Sequence, residues 1–505
     1  MRRFGLITSN SLRQVFCRQV IEAALREPKP LHLLFAVPDH PWAQGEDAAA
    51  VRIAMTVAEA GAGPGRLLTV LREDGAEVPA VEFAEQVGMI NADLTVGVSP
   101  AEAQALRANG RVCSPGVKLH GAGFIVTPAR ARALGLGKVP GLEQHIRPYL
   151  NGRDMTGRSR EVMVIDMDGL SEAEVRQRFP AVFQHLLLHV KPERDQNNEA
   201  YRRLNWWLFG RNNAILRAAL RGLPRYIATV ETAKHRVFVF QPAAVLPDNK
   251  LICIATAEAW HLGVLSSSLH VQWSLKAGAL LEDRPVYVKS LCFDPFPFPF
   301  VTEAQASEIG QLAEALDSQR AARLAAHSFL TLTGLYNAVD AVRAGRGLSK
   351  AERDVVEAGQ VATLLHLHQQ LDTAVAAAYG WPVNLPTTDV VARVVALNRE
   401  RYEAEAHGIV NWLRPDYQAP AEMRMRATQA TMDIAQADAI LPWPKQAPAQ
   451  FIALRTALAR GGPGGAPDLA TRFEKPPAPA RVRTMLKTLV ALGQARDAGG
   501  GRYAA

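Results

Sequence analysis

Apolar residues open the chain in a short run, Phe4-Gly5-Leu6-Ile7, and then recur at helical spacing from Leu12 to Leu25. A short apolar run followed by an amphipathic helix predicts one strand–helix step of a parallel α/β sheet. A strand of that kind is buried on both faces and needs neighbours. The expectation is therefore that residues 1–97 are the later part of a sheet whose earlier strands are encoded elsewhere or lost. Leu31 to Val37, Val51 to Val57 and Leu67 to Leu71 predict three more strands, and Gly61-Ala62-Gly63-Pro64-Gly65 reads as a hairpin turn between the last two.

The pattern changes over residues 98–300, where short β-type runs alternate with turns and short helices: Gly123 to Val126, Val162 to Ile165, Tyr226 to Val230, Val237 to Phe240 and Leu251 to Ala255. Phe293-Asp294-Pro295-Phe296-Pro297-Phe298-Pro299 cannot be helical, because alternating prolines remove donors and fix φ, so it reads as a stiff connector. From Glu303 onward the chain is helical and alanine-rich through Leu312 to Leu332, Leu335 to Ala344 and Lys350 to Tyr379, with a last basic helix over Arg481 to Ala495. Three domains are expected, over 1–97, 98–300 and 301–505.

Composition narrows the function classes. Hydrophobic content of 48% and charged content of 21% in 505 residues describe a globular protein with several cores. No stretch approaches the roughly 20 apolar residues of a membrane span, and no signal peptide opens the chain, so a cytoplasmic location is expected. Cys17, Cys113, Cys253 and Cys292 are too scattered for a zinc site and read as buried thiols. A net charge of +8 and a pI near 9.4 favour a polyanionic partner, nucleic acid first.

Three catalytic signals fail on spacing. Glu59-Ala60-Gly61-Ala62-Gly63 resembles an S-adenosylmethionine loop, yet Leu67 to Leu71 and the Asp74-Gly75 turn leave no room for the helix that should follow. Asp294-Pro295-Phe296 lacks the second proline of an amino-methylating Asn/Asp-Pro-Pro-Tyr/Phe motif. Asp468 with Glu474-Lys475 lacks the spacing of a metal-dependent nuclease. His366 and His368, two apart on a helix, fall on different faces. A binding constellation remains. Trp206-Trp207-Leu208-Phe209-Gly210-Arg211, Arg217, Arg221, Arg225-Tyr226 and Lys234-His235-Arg236 interleave cations with aromatics, which suits phosphate contact and base stacking. The two tryptophans and Phe209 read mostly as core. Arg153 and Lys289 join the candidate DNA-binding set. Glu282 and Arg284 would share a strand face, where arginine reads guanine and glutamate accepts from cytosine; a solvated turn before Pro285 is the other reading.

The series Phe4-Gly-Leu-Ile-Thr-Ser-Asn-Ser11, Leu119-His-Gly-Ala-Gly-Phe-Ile-Val-Thr-Pro128, Tyr149-Leu-Asn-Gly-Arg-Asp154, Arg225 to Arg236, Leu265-Ser-Ser-Ser-Leu-His-Val-Gln-Trp273, Cys292 to Pro299 and Ala376-Ala-Ala-Tyr-Gly-Trp-Pro382 resembles the type IIG/IIL, MmeI-like class I DNA methyltransferases. The resemblance implies an α/β start (part of a Rossmann-like methyltransferase sheet), an α+β target-recognition domain and an all-α C-terminal region. It also implies adenine-N6 methylation with S-adenosylmethionine, within a restriction–modification system, on double-stranded DNA. The family's cofactor loop and Asn-Pro-Pro-Tyr motif precede the strand that here starts at Phe4, and neither has a counterpart in this chain. The cofactor would thus be held by an absent N-terminal half, which a separate polypeptide could supply, and the chain alone is expected to be inactive. Family enzymes stack the flipped adenine on an aromatic, a role that falls here on Trp42; simple packing is the alternative. A non-catalytic specificity module and a degenerate fragment are the competing readings.

Overall fold

The computed structural model describes residues 3–9, 12, 15–42, 51–73, 81–281, 284–419, 441–461, 464–491 and 495–504. It divides into two units, Met1–Arg414 and Pro415–Ala505.

The first unit opens with a five-stranded sheet of β1 (Arg3–Ser9), β2 (Leu31–Pro41), β3 (Arg52–Ala60), β4 (Gly65–Glu73) and β5 (Val81–Gly88). Helix α1 (Val15–Arg26) lies between β1 and β2 in sequence. The strand order is β1-β3-β2-β4-β5. Only β2 and β4 pair in parallel; β1 with β3, β2 with β3 and β4 with β5 pair antiparallel. The expected alternating parallel α/β arrangement is corrected here to a mixed sheet. Short apolar runs mark burial but carry no strand direction, and β3 inserts between β1 and β2 where the sequence reads as a simple succession. The glycine loop is corrected too. It carries the chain across β2 from β3 to β4, and is not a hairpin turn, since those two strands are not neighbours. Gly65 is required at the crossing, because a Cβ there would lie 2.0 Å from the Leu33 carbonyl oxygen. Leu33, Ala36, Ala54, Ala58, Leu67, Ile90 and Leu94 form the core of this part.

Two four-stranded sheets follow. In one, β6 (Cys113–Pro115), β13 (Leu251–Ile254), β10 (Arg225–Val230) and β11 (Val239–Pro242) are antiparallel throughout. In the other, β7 (Ile125–Val126), β9 (Met163–Ile165), β8 (Ile146–Leu150) and β12 (Leu246–Pro247) run in that order. A hairpin of β14 (Ala279–Leu281) and β15 (Arg284–Val286) stands apart from both sheets. Short helices join these strands, among them α2 (Gly152–Thr156), α3 (Ala259–Ser266) and α4 (Ser268–Ala277). Trp206, Trp207 and Phe209 are buried in the core beneath β8 and β9, so their aromatic surface is committed to packing.

Helices α5 (Glu303–Ala326), α6 (Leu332–Arg343), α7 (Lys350–Ala358), α8 (Val361–Tyr379) and α9 (Thr387–Ala406) complete the unit. The helix expected over Lys350 to Tyr379 breaks at Gly359-Gln360, where Gln360 takes a left-handed φ of 48°. The connector at 293–299 is held by buried amides. Asn109 Nδ2 donates to the carbonyls of Phe293, Asp294 and Phe296, and Asn398 Nδ2 donates to those of Gln104 and Pro295. Glu405 accepts from the backbone N–H groups of Arg107 and Ala108 at 2.6 and 2.8 Å. The helices therefore clasp the 98–300 region through backbone groups that would otherwise be buried without partners.

The second unit packs α10 (Ala447–Gly461), α11 (Ala466–Ala470) and α12 (Pro479–Ala491) around Leu454, Leu458, Leu469, Phe473, Val482 and Leu486. It is not purely helical: β16 (Gly464–Gly465), β18 (Arg502–Ala504) and β17 (Arg496–Gly499) form a small antiparallel sheet, which corrects the all-α expectation. Glycine-rich ends gave no period-2 apolar signal to read.

Candidate nucleic-acid interface

The structure places the sequence-predicted cations in two different settings. Several are braces. Arg225 Nε and Nη2 donate to the Ala257 carbonyl, Nη2 pairs with Glu314 Oε1 at 2.5 Å, and the guanidinium lies 3.6 Å from the Phe240 ring centroid. Lys289 begins a short helix and pairs with Asp294 Oδ2 at 2.6 Å. Asp294 itself lies in the buried connector, in keeping with a structural Asp-Pro-Phe. Arg217 makes a bidentate pair with Asp166 at 2.8 and 3.0 Å. Arg236 is 7% exposed and turns its guanidinium inward onto carbonyls, so the structure removes it from the set of side chains available to a phosphate.

Others are presented to solvent along a seam of joined segments. Lys118 and Arg211 are exposed neighbours whose backbones exchange two hydrogen bonds of 3.1 Å. Val117 N–H donates to the Pro247 carbonyl, and Asp248 N–H to the Leu150 carbonyl at the start of the loop into α2, which carries exposed Arg153. Gly152 lets α2 approach β10, since a Cβ there would meet Val230 Cγ1 at 2.9 Å. Glu231 N–H then donates to the Lys250 carbonyl, and Lys250 Nζ pairs with Glu231 at 2.7 Å. Beyond Glu231, Ala233 N–H donates to the Pro285 carbonyl and Tyr287 N–H to the Glu231 carbonyl, which docks the β14–β15 hairpin on the same seam. Lys234 Nζ and His235 Nε2 both meet Asn337 Oδ1 of α6, at 2.7 and 2.8 Å, and His235 Nδ1 lies 3.4 Å from Asp340. Among the described residues, Lys118, Arg153 and Arg211 have no carboxylate within ion-pair distance.

In the hairpin, Leu281 pairs across the strands with Arg284, and Leu280 and Leu281 are 39% and 52% exposed. Glu282 lies outside the described residues, and β15 begins at Arg284. In the opening sheet, Trp42 is 50% exposed just past β2, and its backbone N–H donates to the Val51 carbonyl at 2.9 Å. His40 stacks beside it on Phe83 with centroids 5.9 Å apart.

The catalytic signals discounted on spacing find other employment. Glu59, ahead of the glycine loop, is buried in β3 and pairs with Arg3 at 3.0 Å. His366 is exposed, whereas His368 is buried against the Tyr336 hydroxyl at 2.8 Å. Asp468 accepts from the Gly465 N–H, and no group of metal-binding side chains occurs among the described residues. Lys118, Lys250 and the α6 residues Asn337 and Asp340 were missed in the sequence. Long-range backbone pairing brings Lys118 and Lys250 to the seam, side-chain contacts with Lys234 and His235 bring Asn337 and Asp340, and no local motif signals either.

No curated protein matches the chain. The MmeI target recognition domain family matches residues 114–300. A solved structure of the type IIL restriction-modification enzyme MmeI in complex with DNA is similar at a TM-score of 0.59 and 20% identity, covering 79% of this chain and 50% of that one. The chain thus spans about half the length of that protein. The type IIG restriction endonuclease BpuSI overlaps at a TM-score of 0.27 and 10% identity, covering 74% of this chain and 48% of that one, a level that supports no comparison of folds. No described helix is long and apolar enough to cross a membrane. Residues 114–300 form an MmeI-like target recognition domain.

Proposed function

We propose that this chain is the DNA-reading part of a site-specific adenine-N6 DNA methyltransferase of a restriction–modification system, acting in the cytoplasm on double-stranded DNA. The observation that carries the reading is the seam itself: exposed Lys118, Arg153 and Arg211, without carboxylate partners among the described residues, lie on segments joined to the hairpin that carries Arg284. Cations position a protein on the phosphates, and a projecting hairpin supplies side chains to base edges. Arg284, with Glu282 two residues before it in sequence, is the proposed base-reading pair. Lys234 and His235 flank it at the α6 junction. Trp42 is the proposed stacking surface for the flipped adenine.

S-adenosylmethionine does not fit the residues described here. The glycine loop crosses the sheet straight into β4 without opening a helix, and the acid ahead of it is paired with Arg3. No methyl-transfer step is assigned to this chain's residues. The first sheet supports completion from elsewhere: β1 lies at a sheet edge, and Phe4, Leu6 and Ile7 on it are 47%, 49% and 63% exposed. An apolar open edge is a site for further strands, and we propose that the rest of a methyltransferase sheet joins there, whichever polypeptide provides it. A DNA-specificity module without catalysis is the second reading, favoured by the same misfit of the cofactor.

The test is selection of duplexes from a randomised pool by the purified chain. A single enriched motif is expected. Retention without any enriched motif would overturn sequence recognition and leave only non-specific DNA binding.

A further inference from the structure

Arg236 is buried without a carboxylate partner among the described residues. Burial lowers its pKa from the ordinary arginine value, so the site holds a cation at a cost that must serve something. Its acceptors explain the arrangement. Nη1 meets Thr229 Oγ1 at 3.1 Å and the Val230 carbonyl, while Nη2 meets the carbonyls of Glu231 at 3.4 Å and Pro285 at 3.3 Å. The guanidinium also lies 5.1 Å from the Tyr287 ring centroid. Three of these acceptors belong to the end of β10 and its exit, and the fourth belongs to β15 of the hairpin. Besides Arg236, the hairpin root is tied to that exit by the Ala233–Pro285 and Tyr287–Glu231 backbone bonds and the Thr232–Val286 bridge.

We propose that Arg236 is a positioning residue, a clamp that fixes the β14–β15 hairpin against the end of β10 and so sets where Arg284 meets a base edge. The proposal rests on the hairpin reading DNA as put forward above. A planar fork with five donors can bridge carbonyls on two segments at once; an ammonium with three donors on a flexible stem holds no such fixed geometry. Lys234, two residues earlier, has the opposite character: it is exposed and bonded to α6. Neighbouring cations in one motif thus have separable tasks.

Arg236→Lys tests this in the full chain by two independent readouts. By hydrogen exchange, the amides of Ala233 and Tyr287 should exchange at least about ten-fold faster, while those of Ile227 to Thr229 in β10 change less than about two-fold. Equal acceleration throughout the sheet would mark a general structural role and overturn the clamp, as would unchanged protection at all of these sites. By duplex selection, the variant should lose preference at one or two adjacent positions of the wild-type motif, with the salt slope on a random duplex unchanged. An intact motif, or a slope reduced by about one phosphate contact, would also overturn it. Thr232→Cys with Val286→Cys, oxidised in the Arg236→Lys background, pins the same root and should restore the lost positions; failure of a formed disulfide to do so counts against the clamp. Should Arg236→Lys fold poorly, the cross-linked variant carries the selection. A wild-type chain that selects no motif would defeat the recognition reading, and the exchange measurement would still decide the clamp.

Discussion

Changing Lys118, Arg153 and Arg211 to glutamine removes three exposed cations from the seam without altering a core residue. Each lysine or arginine that neutralises a phosphate contributes about −0.9 to the slope of log affinity against log salt. Loss of all three should therefore flatten the slope by about 2.7. Between 50 and 200 mM salt, a four-fold change, the wild type should lose about 40-fold more affinity than the triple variant. Fluorescence anisotropy with a labelled duplex at several salt concentrations reads the slope directly. A thermal melt guards against misfolding, since exposed substitutions of this kind ordinarily change stability by no more than about 0.5 kcal/mol. An unchanged slope in a folded variant would refute the reasoning, because it would place all three side chains away from the phosphates.

Other outcomes follow from particular contacts. His261, His270 and His368 are buried, and burial pushes each down to about 3. An unfolded histidine binds its proton below about 6.5 while these stay neutral, so stability is full above that pH and falls as pH drops, by about 1.4 kcal/mol per unit for each; His368→Gln should make the decline between pH 6 and 4 shallower by about that amount in denaturant titrations, and an equally steep decline would contradict the burial argument. Asn398→Ala should cost about 2–4 kcal/mol, because Gln104 N–H and the carbonyls of Gln104 and Pro295 lose their partner; a loss under about 0.5 kcal/mol would show that water replaces the amide. Calorimetric titration of the chain with S-adenosylmethionine should give no heat of binding, and one-to-one micromolar binding would restore the glycine loop as a cofactor site.

The sequence conveyed burial and backbone stiffness well and spatial adjacency poorly. The alternating prolines of Phe293 to Pro299 exclude a helix, and the structure has none there. Trp206, Trp207 and Phe209 are core, as their apolar area implies. Strand direction was not legible, because Phe4 to Ile7 and Leu31 to Val37 are equally apolar whether neighbours run parallel or antiparallel; the insertion of β3 between them depends on pairings across the whole sheet. The Gly359-Gln360 break was hidden in an otherwise continuous helical pattern, where one glycine is tolerable and the close approach of the Val355 carbonyl and the Leu335 side chain is what makes it necessary. For the proposed interface, charge pointed to nucleic acid, and the 225–236 motif pointed to the segment on which the β14–β15 hairpin is rooted. Its members could not be sorted from spacing alone. Arg236 and Lys234 are two apart, yet one is buried on carbonyls and the other is exposed, because the chain turns between them after β10. Lys118 and Arg211, nearly a hundred residues apart, meet only through backbone pairing.

The most direct measurement is equilibrium competition at 150 mM salt between a duplex carrying the selected motif and a duplex of the same length and composition with the motif scrambled. Site-specific recognition predicts a preference of about 10³-fold or more. A ratio near one would contradict it, and would leave this chain a basic protein that binds DNA without reading it.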